Sequence, residues 1–448
     1  MPEPSSYDHF YKNLARHLGD RIDAVYACIL GPYGEGNYPL YVPDWVNVGP
    51  SHEGYWAGDK FALIEFREAM KAKYEKDLGK LNAAWGTSHA GWDEVTPPRE
   101  IGEPFKPNPV PMDTVENRRR WLDFITWYHQ ALIDFAEKSV QVTLKHFPKE
   151  KVRTKPGGNA GGVNPIAWGT YSPGFAKMAG NYGIVMQPAD CHGAYFGDKW
   201  IGTSYQFYGV PLATEPASLL DEKGFVRRIF SDASSGAAQL FTYEFERHAG
   251  NIRKYVHLYT GKRGDTEIAL MCPTTLYRLG GDLGPTIQGG GELRDLVEYD
   301  VLDELLITDG ALTDKYKVLI VLQPDFVEDR ALERIDDWKR AGGTLVLVGH
   351  KPMKNLAGLS RIDMRTNIQG EALHVPAINP NGAWLRQIGE IVAGMKGVDG
   401  KLDVLMTCRR GEQVFIFNAS DRPTAVTIDL AGATADIVIE PHTIWSNR

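Results

Sequence analysis

Arg21–Asn37 reads RIDAVYACILGPYGEGN, and this stretch decides the fold. Its first ten residues are a short apolar run of the kind that forms a buried strand. The run breaks at Gly31-Pro32 and passes through Tyr33, Gly34, Glu35, Gly36 and Asn37. A Gly-rich acidic turn directly after a buried strand is where barrels and open α/β sheets place their chemistry. The same grammar recurs downstream. Strands are expected over Lys151–Lys155, Tyr182–Gln187, Val210–Thr214 and Ala238–Tyr243. Each runs into polar or special residues: Gly157-Gly158-Asn159, Asp190-Cys191-His192, Glu215-Pro216 and Glu244. Strands whose polar residues gather at one end predict an α/β fold of the (β/α)8-barrel type over residues 1–264.

Around these strands the spacing predicts helices at Tyr7–His17, Lys60–Lys76 and Trp121–Phe147. In the last, Trp121, Phe124, Ile125, Tyr128, Leu132, Phe135 and Val142 face inward. From 265 to 395 the pattern changes to a Rossmann-like βαβ alternation. Glu267–Cys272, Val318–Leu322 and Thr344–Val348 read as buried strands, and Asp295–Leu305 and Asp329–Ala341 as helices. Gly289-Gly290-Gly291 reads as a loop cluster, and no GxGxxG opens a helix, so a nucleotide site is not expected. Residues 396–448 read as a small β-domain, with strands at Asp403–Cys408, Gln413–Asn418, Thr424–Asp429 and Ala435–Ile439.

Composition narrows the function. The 448 residues carry a net charge of −8, which fits neither nucleic acid nor anionic membrane as the main partner. No apolar run is long enough to span a bilayer and the N-terminus has no signal-like segment, so a cytoplasmic protein is expected. Cys28, Cys191, Cys272 and Cys408 lie far apart without a CxxC pair, the pattern of reduced, buried thiols. No HxH or HExxH spacing points to a catalytic metal, and no cofactor is expected. The 11 Trp, 20 Tyr and 17 Phe suit sugar binding and a large core alike.

Glycoside hydrolysis needs two carboxyl groups flanking the bond, one as acid and the other as nucleophile or base. Glu35 and Glu215 fit: each follows an apolar strand in a turn built from Gly or Pro. Tyr33 and Asn37 flank Glu35 and either bind sugar hydroxyls or simply form the turn. Arg153 and Lys155 bring cations to a strand end, for substrate or for an ion pair. Asp190 and His192 end the next strand; Glu244 ends the last, to bind a hydroxyl or cap a helix. Trp200, Trp168 and Trp45 are candidate stacking platforms or packing residues.

Six stretches carry a resemblance. Tyr74–Thr87 (YEKDLGKLNAAWGT) is similar to a segment after the fourth barrel strand of the family-42 β-galactosidases. Tyr299–Asp303, Ile307–Leu312, Tyr316–Val321 and Ala341–Val346 resemble that family's trimerisation domain. The resemblance implies a β-glycosidase of retaining type, Glu35 the acid/base and Glu215 the nucleophile, assembled as a trimer on an oligosaccharide or glycoside. It places Glu35 after strand four, so the barrel is expected to lack its first three strands. Gly31–Pro39 (GPYGEGNYP) instead resembles the acid segment of β-amylases, inverting α-glucan hydrolases, and Gly34 stands where family-42 enzymes carry Asn. An inverting enzyme with Glu215 as base, and a non-catalytic sugar-binding protein on an incomplete barrel, are the alternatives.

Overall fold

The computed structural model describes residues 4–27, 35–39, 54–98, 113–157, 166–188, 195–216, 219–349, 351–359, 372–375, 378, 382–395, 405–430 and 433–448. Five short strands follow one another in an arc: β1 (Val25–Ala27), β2 (Val152–Thr154), β3 (Val185–Met186), β4 (Ala213–Thr214) and β5 (Gln239–Leu240). β1, β2 and β3 pair in parallel, as do β4 and β5, and a parallel bridge between Met186 and Leu212 joins the two groups. Helix α1 (Pro4–Leu18) precedes β1, and α2 (Lys60–Lys73), α3 (Leu78–Trp85) and α4 (Val115–Leu144) separate it from β2. Helices α5 (Ser172–Tyr182), α6 (Tyr195–Phe207), α7 (Glu222–Ser234) and α8 (Phe245–Tyr255) follow β2 to β5 in turn.

Helix α4 organises this part. The Thr114 hydroxyl caps it by accepting from the Asn117 amide at 3.1 Å. All seven residues expected to face inward are buried. Asp123, also buried, accepts from the Tyr74 hydroxyl at 2.5 Å and the Trp85 indole at 2.8 Å, and pairs with Lys73 at 2.5 Å. One carboxylate on α4 thus holds α2 and α3 against it, and the Tyr74–Thr87 motif supplies two of the donors. Helix α2 stops short of the expected Lys76 because Glu75 and Lys76 take left-handed backbone angles.

The second sheet has the order β10-β9-β8-β6-β7. Its strands are β6 (Ile268–Cys272), β7 (Asp300–Asp303), β8 (Val318–Val321), β9 (Thr344–Val348) and β10 (Ala372–Val375), all parallel. Helices α9 (Thr274–Arg278), α10 (Gly284–Arg294), α11 (Glu304–Thr308), α12 (Asp329–Arg340) and α13 (Ala383–Val392) complete a doubly wound arrangement, with the strand order reversing at β6. Two expectations fail here. Asp295–Leu305 is not a helix, because Asp300–Asp303 pair with β6 as the edge strand β7. Gly289-Gly290-Gly291 is not a loop but lies within α10.

Five antiparallel strands follow: β11 (Leu405–Arg410), β12 (Gln413–Asn418), β13 (Thr424–Leu430), β14 (Ala433–Ile439) and β15 (Ile444–Ser446). They do not stand apart. One hydrophobic cluster runs from Trp200 and Phe196 through Leu270 to Phe230, Phe415 and Phe417. The rings of Phe230 and Phe417 stack at 5.4 Å. Buried Arg410 donates to the Ala237 carbonyl at 2.7 Å and the Gly261 carbonyl at 2.8 Å. Cys272 and Cys408 are free and buried, and burial pushes both thiols up, Cys408 to about 11. Among the described residues no helix is long and apolar enough to cross a membrane.

Candidate active site

The site forms where the arc's strands end. Beyond β1 the chain continues alongside β2: the Gly36 amide donates to the Lys155 carbonyl at 2.7 Å and the Gly157 amide to the Gly36 carbonyl at 3.3 Å. That ladder sets Glu35 and Asn37 beside Lys155 and Gly157. Across the arc the Glu215 amide donates to the Pro188 carbonyl at 3.1 Å, fixing Glu215 just past β4.

Both carboxylates converge on one ammonium. Lys155 Nζ lies 2.8 Å from Glu215 Oε1 and 3.8 Å from Glu35 Oε1. Those two oxygens therefore lie no more than about 6.6 Å apart, the limit set by the two lengths end to end. The glutamates are 180 residues apart in sequence and meet only through the parallel register of the strands.

Glu215 has further protein donors. Tyr243 Oη donates to its Oε1 at 2.6 Å, and Gln187 Nε2 approaches Oε2 at 3.4 Å. Partial burial, the bond to Glu215 and the charges of Glu215 and Glu35 push the Tyr243 hydroxyl above its ordinary value. It therefore keeps its proton and acts as a donor. Gln187 is held by the Tyr26 hydroxyl at 2.8 Å, while Arg153 Nη1 donates to Gln239 at 2.6 Å. Behind Glu215, Thr214 donates to buried Asp232 at 2.7 Å, and Arg228 donates to the Phe241 carbonyl at 2.7 Å. This layer locks the ends of β4 and β5 together.

The expected site residues divide sharply. Glu35, Asn37, Arg153 and Glu215 lie together, with Lys155 at the centre. Asn37 is fully buried, and its Nδ2 and Oδ1 have no hydrogen-bond partner among the described residues. Trp200 is not a sugar platform: it is 1% exposed inside α6, packed edge-on to Tyr171 and against Phe196. Trp168 is likewise buried. Glu244 does not end a strand: β5 ends at Leu240, and Glu244 stands just before α8, lining a small pocket with Pro216 and Tyr243. Its carboxylate pairs with Arg247 at 3.2 Å and lies 3.9 Å from His248, and it makes no capping hydrogen bond. Tyr33, Trp45, Asp190 and His192 lie outside the described residues. Sequence reasoning missed Tyr243 and Gln187. Tyr243 follows β5 as Glu215 follows β4, and that shared position was the available signal.

Comparison with known proteins gives two kinds of likeness. The model of Glycosyl hydrolase family 14 matches residues 3–183. The thermophilic beta-amylase of Thermoanaerobacterium thermosulfurigenes is 32% identical over 128 residues, 28% of this chain and 22% of that protein. The match thus spans about a fifth of that relative's length. Among solved structures, a GH42 beta-galactosidase from G. stearothermophilus is similar at TM-score 0.66 and 14% identity, covering 99% of this chain and 81% of that one. The beta-galactosidase of Bacillus circulans sp. alkalophilus is similar at TM-score 0.66 and 13% identity, covering 99% and 82%. At such identities the likeness is one of fold, and it extends along the arc, the doubly wound sheet and the final β-strands: the chain has the fold of the GH42 beta-galactosidases.

Proposed function

We propose that this chain is a glycoside hydrolase whose reacting groups are Glu35 and Glu215. The observation that carries the reading is the convergence of two carboxyl groups, from separate strand ends, on the Lys155 ammonium. The family-14 match across the Glu35 segment and the GH42 fold support it. Glu215 is held in place by the Lys155 ammonium, the Tyr243 hydroxyl and the Gln187 amide. It serves as nucleophile. Glu35, farther from the ammonium, delivers a proton to the leaving oxygen and then takes one from water. Asn37 offers its free amide to a sugar hydroxyl, and Arg153 acts one step away through the Gln187–Gln239 cluster.

Retention fits carboxyl groups about 5–5.5 Å apart, and the limit of about 6.6 Å between the two Oε1 atoms favours it. The family-14 match over residues 3–183 favours a second reading, inversion with Glu215 as base for water. Proton NMR of the first-formed product decides between them, with an aryl β-galactoside and maltopentaose as substrates. The expected result is turnover with a retained anomer. Glu35→Gln and Glu215→Gln should each lose about 10²–10⁴-fold. An inverted anomer would move Glu215 to the role of base. No turnover on any glycoside would leave a sugar-binding protein. The same reading carries the expectation of a trimer through the doubly wound sheet; sedimentation at the 49.9 kDa of one chain would remove it.

A further inference from the structure

A second cavity, of about 420 Å³, lies away from the Glu35–Glu215 cleft. It sits between helices α4 and α5 and the carboxyl ends of β6 and β7. Ligands of doubly wound sheets bind outside the carboxyl ends of the strands, and this cavity lies at those ends. The volume falls within the range of about 300–1,000 Å³ typical of small-molecule sites.

Its wall holds polar groups without a partner among the described residues. His129 is 2% exposed. Its Nε2 lies 3.3 Å from the Ile166 carbonyl, which can only accept, so Nε2 carries the hydrogen. Nδ1 is then a bare acceptor, and it has no partner among the described residues. Burial and the nearby Arg278 charge lower the His129 pKa to about 3, so the ring stays neutral. Arg278 lies with its guanidinium 4.5 Å over the Tyr171 ring, and its Nε is buried and likewise unpartnered. His129 and Arg278 both line the cavity and feel each other's charge, so its wall brings together an acceptor and a donor with no partner among the described residues.

It does not present a phosphate cradle. The amides of Thr275 in α9 and of Glu328, which precedes α12, already donate to the Glu304 carboxyl at 2.7 and 2.9 Å. The Thr275 hydroxyl donates to it as well, at 2.7 Å. Glu304 thus fills the place an anionic ligand would take. Acidic Glu137, Glu304 and Glu328 on the wall also oppose the charges of Arg278 and Lys177.

We propose that this cavity is a second binding site for a small neutral polyhydroxylated molecule of one or two sugar rings, held between His129 Nδ1 and Arg278. Hydroxyl groups donate and accept equally well, so one ligand type serves both groups. The inference does not rest on the glycosidase reading. The test is crystallography of the full chain soaked with D-glucose, D-galactose or maltose, paired with calorimetry. The expected density lies against His129 and Arg278. The matching binding component should persist in Glu215→Gln. It should weaken at least ~10-fold in Arg278→Met and in Thr308→Tyr, which fills the cavity from its half-buried rim. Should Arg278→Met fail to fold, Thr308→Tyr alone carries the comparison. Three results overturn the proposal: a cavity without sugar at saturation, inorganic phosphate bound there instead, or a component lost in Glu215→Gln and kept in Thr308→Tyr.

Discussion

Gly157 matters for what it lacks. A Cβ there would stand 2.6 Å from both Cβ and Oε2 of Glu35 and 2.9 Å from Asn37 Cγ. Such contacts force Glu35 to move, and displacement of a reacting group by about 1 Å can cost 10²-fold. Gly157→Ala should lower kcat/KM by about 10–100-fold while the thermal midpoint stays close to wild type. Unchanged turnover would remove Glu35 from the reaction. At this scale the sequence was legible where a residue's setting was special. Glu35 in GPYGEGN and Glu215 in ATEP stood out because such turns fix a side chain at a strand end. Tyr243 and Gln187 did not, since a tyrosine or glutamine near a strand looks the same inside a cleft or outside it. Trp200 misled because a loop-like sequence around it folds into α6, which is buried from Tyr195 to Tyr205.

Elements followed periodicity except where packing overrode it. In Asp295–Leu305 the apolar Val297, Val301 and Leu305 recur at helical spacing. Pairing with β6 buries both faces of Asp300–Asp303, and a strand buried on both faces has no period to read. The glycines of α10 are its opposite. A Cβ at Gly289 would meet Leu322 Cδ1 at 2.6 Å, and one at Gly290 would meet Phe196 Cδ2 at 3.0 Å. These glycines let the helix approach its neighbours, and helix propensity yields to that contact. The turn from β7 into α11 carries a pH signature of its own. Burial raises Glu304 from 4.5 to about 7, outweighing the three donors that favour its anion. The folded chain then holds a proton that the unfolded chain releases. Its contribution to stability is complete below pH 4.5 and is lost as pH rises through about 7. Glu304→Gln should flatten the dependence of unfolding free energy on pH across that window, by up to about 3 kcal/mol. Urea titrations at several pH values measure it; an unaltered slope would mean Glu304 ionises freely.

At the scale of the molecule, the arc, the doubly wound sheet and the β11-β12-β15 sheet share one interior. Phe230 on α7 packs on Phe415 and Phe417 of β12, and Arg410 of β11 satisfies carbonyls of the first part of the chain. The change of pattern near residue 396 marks a small β-domain in the sequence, which shows where composition shifts but not which faces meet. Each buried phenylalanine is worth about 1.5–3 kcal/mol, enough that the parts should not unfold separately. Denaturation of the full chain should give one transition by fluorescence and circular dichroism. A chain ending at 395 should lose it and aggregate. A separate early transition for the β-strands after 405 would contradict the shared core.

Cys272 at the end of β6 and Cys408 in β11 lie on two different sheets of that interior, each too deep and too poor in thiolate to react while the fold is closed. They are built-in clocks. An alkylating reagent reaches each sulfur only when the structure around it opens, so labelling read peptide by peptide times the breathing of the two sheets independently. Equal rates would mean that the molecule opens as a whole, and unequal rates would name the sheet that loosens first.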